Sequence, residues 1–217
     1  MQKEIIAQLP IFMGLSDKEV SEIATRVPFA QHHHKKGSII VEAESPCNEM
    51  IIVTLGTMEC ETESDDNSYR LVENIHAIHV LEPDKLYGLE QRYRTTYRAM
   101  TSCESIAISK DRFHELIDSY LIVRLNYMNM ICRKVQKLEH NPWKACSTDI
   151  KQRITKFIKE RSIHPAGSKK LFITMVHLAN ELGCSRLEVS IALNELALKE
   201  RIILKRGIIE IPALQLL

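Results

Sequence analysis

Ser185, Arg186, Leu187, Ser190, Ile191 and Asn194 fall on one side of a helical repeat, opposite Val189, Leu193 and Leu196. Side chains in that arrangement can read base edges in duplex DNA. Arg186 offers a planar fork of five donors that can grip guanine O6 and N7 together. Leu187 and Ile191 can only touch thymine methyl groups or exclude water. Lys169, Lys170, Thr174, Lys199, Lys205 and Arg206 surround this stretch and suit phosphate oxygens, which position a reader without specifying a base.

Other reactive side chains point nowhere so definite. Arg92, Arg94 and Arg98 make a basic spot, though a solvated strand edge gives the same residues. His32-His33-His34, His76 and His79 could each supply an axial imidazole to haem. On a strand, however, His76 and His79 would face apart, as would neighbours in the triple histidine. Exposed strand histidines are the simpler account. Cys47, Cys60, Cys103, Cys132, Cys146 and Cys184 are scattered with no CxxC pair, so free thiols are expected and no metal site is. No Ser/His/Asp, Cys/His or metal-ligand spacing stands out, so no catalytic residue and no enzyme is expected.

The reading face needs a helix held out from a second one. Thr174 can cap a first helix whose stripe is Val176, Leu178, Ala179 and Leu182. Gly183 ends it where a positive φ is cheapest. Ser185 can cap the second helix, which buries Val189, Ala192, Leu193 and Leu196. A plain helical hairpin would show part of this pattern. Upstream, Ser147 or Thr148 caps a helix over Asp149–Arg161, and His164–Lys170 reads as a loop. Downstream, Ile202–Lys205 and Ile208–Ile211 flank Arg206-Gly207 as a small hairpin. Three helices closed by a hairpin make a winged helix.

The N-terminal part is built differently. Gln2–Gln8 reads as a helix, Leu9–Leu15 as a turn, and Ser16 with Glu19 as a capping box for a helix to Arg26. From Val27 to Ser109, short apolar and β-branched runs alternate with turn signals, which suggests a sandwich or barrel. These runs are Ser38–Glu42, Met50–Leu55, Met58–Glu63, Leu71–Val80, Thr95–Thr101 and Ser105–Ser109. A helical region follows from Lys110. Leu121, Leu125, Met128, Cys132 and Val135 repeat at heptad spacing, a seam for a second copy. Ile117, Arg124, Ile131 and Leu138 form a flanking line that could face the β-domain; one broad core-facing stripe is the alternative. Asn141-Pro142 breaks the helix and is the expected hinge.

The 217 residues carry a net charge of +1 that conceals an asymmetry. Residues 141–217 hold 13 basic and 7 acidic side chains, and residues 1–140 hold 16 and 21. A basic C-terminal part beside an acidic N-terminal part suits a nucleic-acid reader joined to something else. No apolar run reaches a membrane span and MQKEIIAQLP has no signal-peptide core, so a cytoplasmic protein is expected without membrane contact.

The order of these parts resembles the CRP–FNR family of bacterial transcription regulators across nearly the whole chain. Leu9–Ser16, Leu55-Gly56-Thr57, Ala99–Ser109 and above all Leu178–Arg186 carry the likeness. The resemblance implies an α+β fold. It would have an N-terminal antiparallel β-roll (a jelly roll, 1–110), a long dimerisation helix (111–141) and a C-terminal winged helix-turn-helix (142–217). It implies a homodimer on a palindromic operator in double-stranded DNA, RNA polymerase as a partner, and a small-molecule effector at Gly88, Glu90, Arg94, Thr95 and Thr96. Nucleotide-binding members have Gly-Glu, a loop, then Arg-Ser/Thr. Here Leu89 follows Gly88, so the ribose acceptor is missing or moved to Glu90, and the connection to Arg94 is short. Cyclic AMP is therefore not expected. An iron–sulfur cluster is not expected either, since no cysteine precedes Cys47, while haem stays open and the effector is unknown. The family often has glutamate after the arginine and a second arginine four residues on; Leu187 and Ile191 stand at those places, so the operator should differ. A ligand-binding or scaffold protein with a winged helix unable to bind DNA is the alternative.

Overall fold

The protein is described here by a computed structural model over residues 3–140 and 147–217. The expected hinge at Asn141-Pro142, and Cys146, lie outside the described residues. The elements run α1 (Lys3–Gln8), α2 (Asp17–Arg26), β1 (Ala30–His34), β2 (Ile39–Val41), β3 (Glu49–Leu55), β4 (Thr57–Glu63), β5 (Arg70–His76), β6 (His79–Val80), β7 (Thr95–Ala99), β8 (Cys103–Ser109), α3 (Lys110–Ser119) and α4 (Leu121–His140). Then come α5 (Ile150–Arg161), β9 (Lys169–Phe172), α6 (Met175–Leu182), α7 (Arg186–Leu198), β10 (Ile203–Lys205) and β11 (Ile208–Ile211).

These elements form two compact units. One takes the described residues up to Met58 and those from His76 to the end of α4; the other takes Glu59–Ile75 and everything from Ser147 on. A division in strict chain order at 110 and 141 does not describe this. The outer part of the β4–β5 hairpin groups with the C-terminal half, and the boundary runs through both of its strands.

In the first unit α2 starts at the expected capping box. Ser16 N–H donates to Glu19 Oε2 at 2.8 Å, and Glu19 N–H donates to Ser16 Oγ at 3.4 Å. The Ser16 hydrogen bonds hold the Glu19 carboxyl below the usual range. One antiparallel sheet has the order β1-β8-β3-β6, and β2 pairs with β7. Its core includes Phe12, Met50, Ile52, Ile106 and Phe113. Gly56 sits at φ +101°, and a Cβ there would lie 2.6 Å from Cys103 Sγ and Ser102 O, so only glycine fits this turn.

The long helical region is two helices. Tyr120 adopts φ −121° and ψ 107°, which ends α3 and separates Ile117 from α4. The line Ile117, Arg124, Ile131, Leu138 is therefore not one stripe, and Arg124 and Leu138 are exposed. The face of α4 that meets its own chain is instead buried Val123 with Asn126, Tyr127 and Lys134. Asn126 Nδ2 donates to the carbonyls of Ile11 and Met13 at 3.1 and 2.8 Å.

In the second unit the strand order is β4-β5-β9-β11-β10. The first two residues of β9, Lys169 and Lys170, fall where the end of a loop was expected. The strand pairs with β5 in the register Arg70↔Phe172 and Glu73↔Lys169. Asp66 closes the β4–β5 hairpin by accepting from Ser64 Oγ, Ser68 N–H and Ser68 Oγ at 2.7–3.1 Å. Those bonds, Ser68's first, pull its pKa down to about 2. Helices α5, α6 and α7 pack Ile154, Phe157, Leu178 and Leu193 into one core with Leu71, Leu171 and Ile209 of the strands. Asp149, not Ser147 or Thr148, caps α5, accepting from Lys151 N–H at 2.9 Å. Tyr69 packs on Phe157 with ring centres 5.4 Å apart, and the Arg161 guanidinium lies 3.7 Å above the Phe157 ring.

Candidate nucleic-acid interface and effector site

Local sequence builds the α6–α7 pair. Thr174 Oγ1 accepts from His177 N–H at 3.2 Å and starts α6. Gly183 takes φ +58° and ψ 46°, which turns the chain, and Cys184 N–H closes onto Ala179 O at 3.0 Å. Ser185 then opens α7 with a second capping box: Ser185 N–H donates to Glu188 Oε2 at 2.8 Å, and Glu188 N–H to Ser185 Oγ at 3.2 Å. The Ser185 backbone bond, then its hydroxyl, keep the Glu188 carboxyl below its ordinary range. Ala179 is buried, and so are Val189, Ala192, Leu193 and Leu196 of α7. Val176, expected in the buried stripe of α6, is exposed instead.

The opposite face of α7 is open. Ser185, Arg186, Leu187, Ile191 and Asn194 are exposed and Ser190 is half-buried; Leu187 reaches 70 % exposure. Arg186, Lys205 and Arg206 line one cleft of ≈ 550 Å³, whose floor includes Ile173, Met175 and Leu204. Lys170, Thr174 and Lys199 are also exposed. Lys205 Nζ is 2.8 Å from Glu210, an exposed pair that costs little to open.

Lys169 corrects the expected phosphate set. It is 1 % exposed, with Nζ 2.7 Å from Glu73 Oε2 and 2.9 Å from Ala166 O. Glu73 also accepts from the N–H groups of Ile163 and His164 at 2.7 and 3.2 Å. A lysine so enclosed cannot reach DNA; it ties β9 to β5.

On α4, Leu121, Leu125, Met128, Cys132 and Val135 are all exposed in the single chain.

The expected effector residues do not converge. Gly88 is exposed and Glu90 pairs with Lys85 at 3.5 Å. Thr96 Oγ1 accepts from Ala43 N–H at 3.1 Å. Arg94 and buried Thr95 instead turn their backbone N–H groups onto one carboxylate, Glu82, at 2.8 and 2.9 Å. Tyr97 OH lies 3.3 Å from the same carboxylate. Sequence reading missed Glu82; nothing local marks it, because its partners lie 12 to 15 residues on.

The histidines are dispersed. His34 Nε2 is 2.8 Å from Ser105 Oγ, and burial, with His32 and His33 nearby, lowers its pKa. His76 ends β5 and His79 begins β6, so they do not share a strand as expected. Among the described residues no group of three His, Cys, Asp or Glu side chains is placed to hold a metal. No helix of the described residues is long and apolar enough to cross a membrane.

Residues 31–120 match the cyclic nucleotide-binding domain family. No curated protein matches the chain. Among solved structures, catabolite activator protein of Thermus thermophilus is 18 % identical, with 93 % of each chain covered and a TM-score of 0.52. The sensor domain of the transcriptional regulator DNR from Pseudomonas aeruginosa is 11 % identical over 67 % of this chain and 99 % of that one, with a TM-score of 0.51. The N-terminal domain of a transcriptional regulator from Streptomyces coelicolor is 15 % identical over 66 % of this chain and 98 % of its own, with a TM-score of 0.50.

Proposed function

We propose that this chain, which carries a cyclic nucleotide-binding domain over residues 31–120 and shares the fold of a catabolite activator protein, is a homodimeric, DNA-binding transcription regulator. In this reading α6 and α7 are a helix-turn-helix, β10–β11 is its wing, and the regulator acts in the cytoplasm on promoters with RNA polymerase. One observation carries it: exposed Arg186 shares a cleft with Lys205 and Arg206, in the basic C-terminal part of the chain. Lys170, Thr174, Lys199, Lys205 and Arg206 contact phosphates, and Ser185, Arg186, Leu187, Ser190, Ile191 and Asn194 face the bases. A signal at the β-domain shifts the dimer between two arrangements and resets the spacing of its two α7 helices. Selection of bound sequences from a random pool tests this. A palindrome with half-site centres about 34 Å apart is expected, and no symmetric motif rejects the reading.

Dimerisation is expected through Leu121, Leu125, Met128, Cys132 and Val135. In L125E/M128E, like charges would be buried against each other, and light scattering should give the monomer mass. An unchanged dimer mass rejects this interface.

A second reading has one observation in its favour. Leu187 and Ile191 are apolar and 70 % and 52 % exposed, which suits a protein contact. A scaffold or ligand-binding protein of that kind would show no salt-dependent retention on immobilised DNA, whereas a regulator's retention falls steeply with salt.

A further inference from the structure

The Glu82 carboxylate is bound as a receptor binds an anion. Oε2 accepts from Arg94 N–H at 2.8 Å, Oε1 accepts from Thr95 N–H at 2.9 Å, and Tyr97 OH is 3.3 Å from Oε1. Neighbouring N–H groups of an extended strand point apart. Two that converge on one carboxylate form a concavity with positive partial charge, which favours an anion of any origin. Tyr97 and Thr95 are both buried, which lowers the local dielectric and strengthens each bond. Glu82 itself is held at φ +34° and ψ 60°, a conformation that favours glycine, just before Pro83. A non-glycine residue stays there when its surroundings determine it, and these three donors do so.

We propose that Glu82 is an internal ligand: its carboxylate fills an oxyanion cradle formed by Arg94, Thr95 and Tyr97, so the intact protein does not take a phosphoester there. The neighbouring residues extend the effect. Pro83 O accepts from Tyr127 OH at 3.0 Å, and Asp84 pairs with Lys134 Nζ at 2.6 Å, both from α4. The segment that α4 grips is thus secured at its other end by the chain's own carboxylate, without a small molecule. This inference concerns the β-domain alone and survives if the protein does not bind DNA.

The test is isothermal calorimetry of the full chain with cyclic AMP and with inorganic phosphate, on the parent and on E82G. Glycine empties the cradle and suits the left-handed backbone. The parent should give no heat with either anion, and E82G should gain binding of at least one, at least about tenfold tighter than any the parent shows. Low-micromolar binding of cyclic AMP by the parent overturns the proposal, and so does a folded E82G that binds neither anion. Should E82G fail to fold, E82Q decides. Its amide presents a donor to one of the two N–H groups, so hydrogen exchange at Arg94 or Thr95 should quicken at least about tenfold. Exchange unchanged from the parent overturns the proposal.

Discussion

Lys169→Met lowers the stability of the C-terminal unit by about 3–5 kcal/mol, the usual cost of removing one partner of a buried ion pair. The side chains of Lys169 and Glu73 are 0 % and 3 % exposed. Without the ammonium, the Glu73 carboxylate stays in the core with only the N–H groups of Ile163 and His164. Those two bonds place the loss toward the lower end of that range. Glu73 and Lys169 face each other across β5 and β9, so the damage falls on the pairing of those strands. Urea unfolding followed by circular dichroism measures it. The double replacement K169M/E73L should recover much of the loss, since apolar side chains of similar volume often replace a buried pair at little cost. Lys205→Ala, which opens the exposed pair with Glu210, should cost less than about 1 kcal/mol. If K169M unfolds with K205A, the ion pair is not what secures the strands.

If the chain reads DNA as proposed, Arg186→Ala should weaken binding to the selected operator by about 1–3 kcal/mol per half-site, because a bidentate guanine contact would be lost on each. A symmetric site counts the loss twice, so the dimer should bind roughly 2–6 kcal/mol less tightly. Preference should relax at one base pair of each half and hold elsewhere. Lys170→Ala should behave differently. A phosphate contact carries no sequence information, so all sequences weaken alike and the salt dependence becomes shallower. Titration of both variants against the selected site and a scrambled one, at several salt concentrations, separates the two effects. Equal binding by Arg186→Ala and the parent removes Arg186 from the base-reading set.

What the sequence discloses follows the range of the interactions. The capping box of Ser16 with Glu19 and the cap at Ser185 close over three residues, and the turn at Gly183 is as local. Their residue types announce them. The exposed seam of α4 is equally readable, because heptad spacing belongs to one helix. Lys169 shows the limit. In a Pro/Gly/Ser-containing stretch beside Lys170 it resembles any surface lysine, and its partner Glu73 lies 96 residues away. The same distance hides β9, whose neighbour β5 belongs to a hairpin from the other half of the chain. Glu82 is hidden for a related reason: its left-handed backbone and its three donors exist only once the chain has folded back. The break at Tyr120 has no proline or glycine to mark it, so α3 and α4 read as continuous.

The β4–β5 hairpin bears on how this protein can be taken apart. A fragment beginning at Ser147 would retain every helix of the second unit but neither strand of the hairpin. Strand β9 would then become a sheet edge with unpaired backbone groups, an invitation to self-association. Lys169 would enter that fragment without its carboxylate, and Leu71 would be missing from the apolar interior. A cut just before Ser147 therefore severs a structural unit. Recombination that exchanged the C-terminal half between relatives would have to carry Glu59–Ile75 with it, so the natural module is discontinuous in the chain.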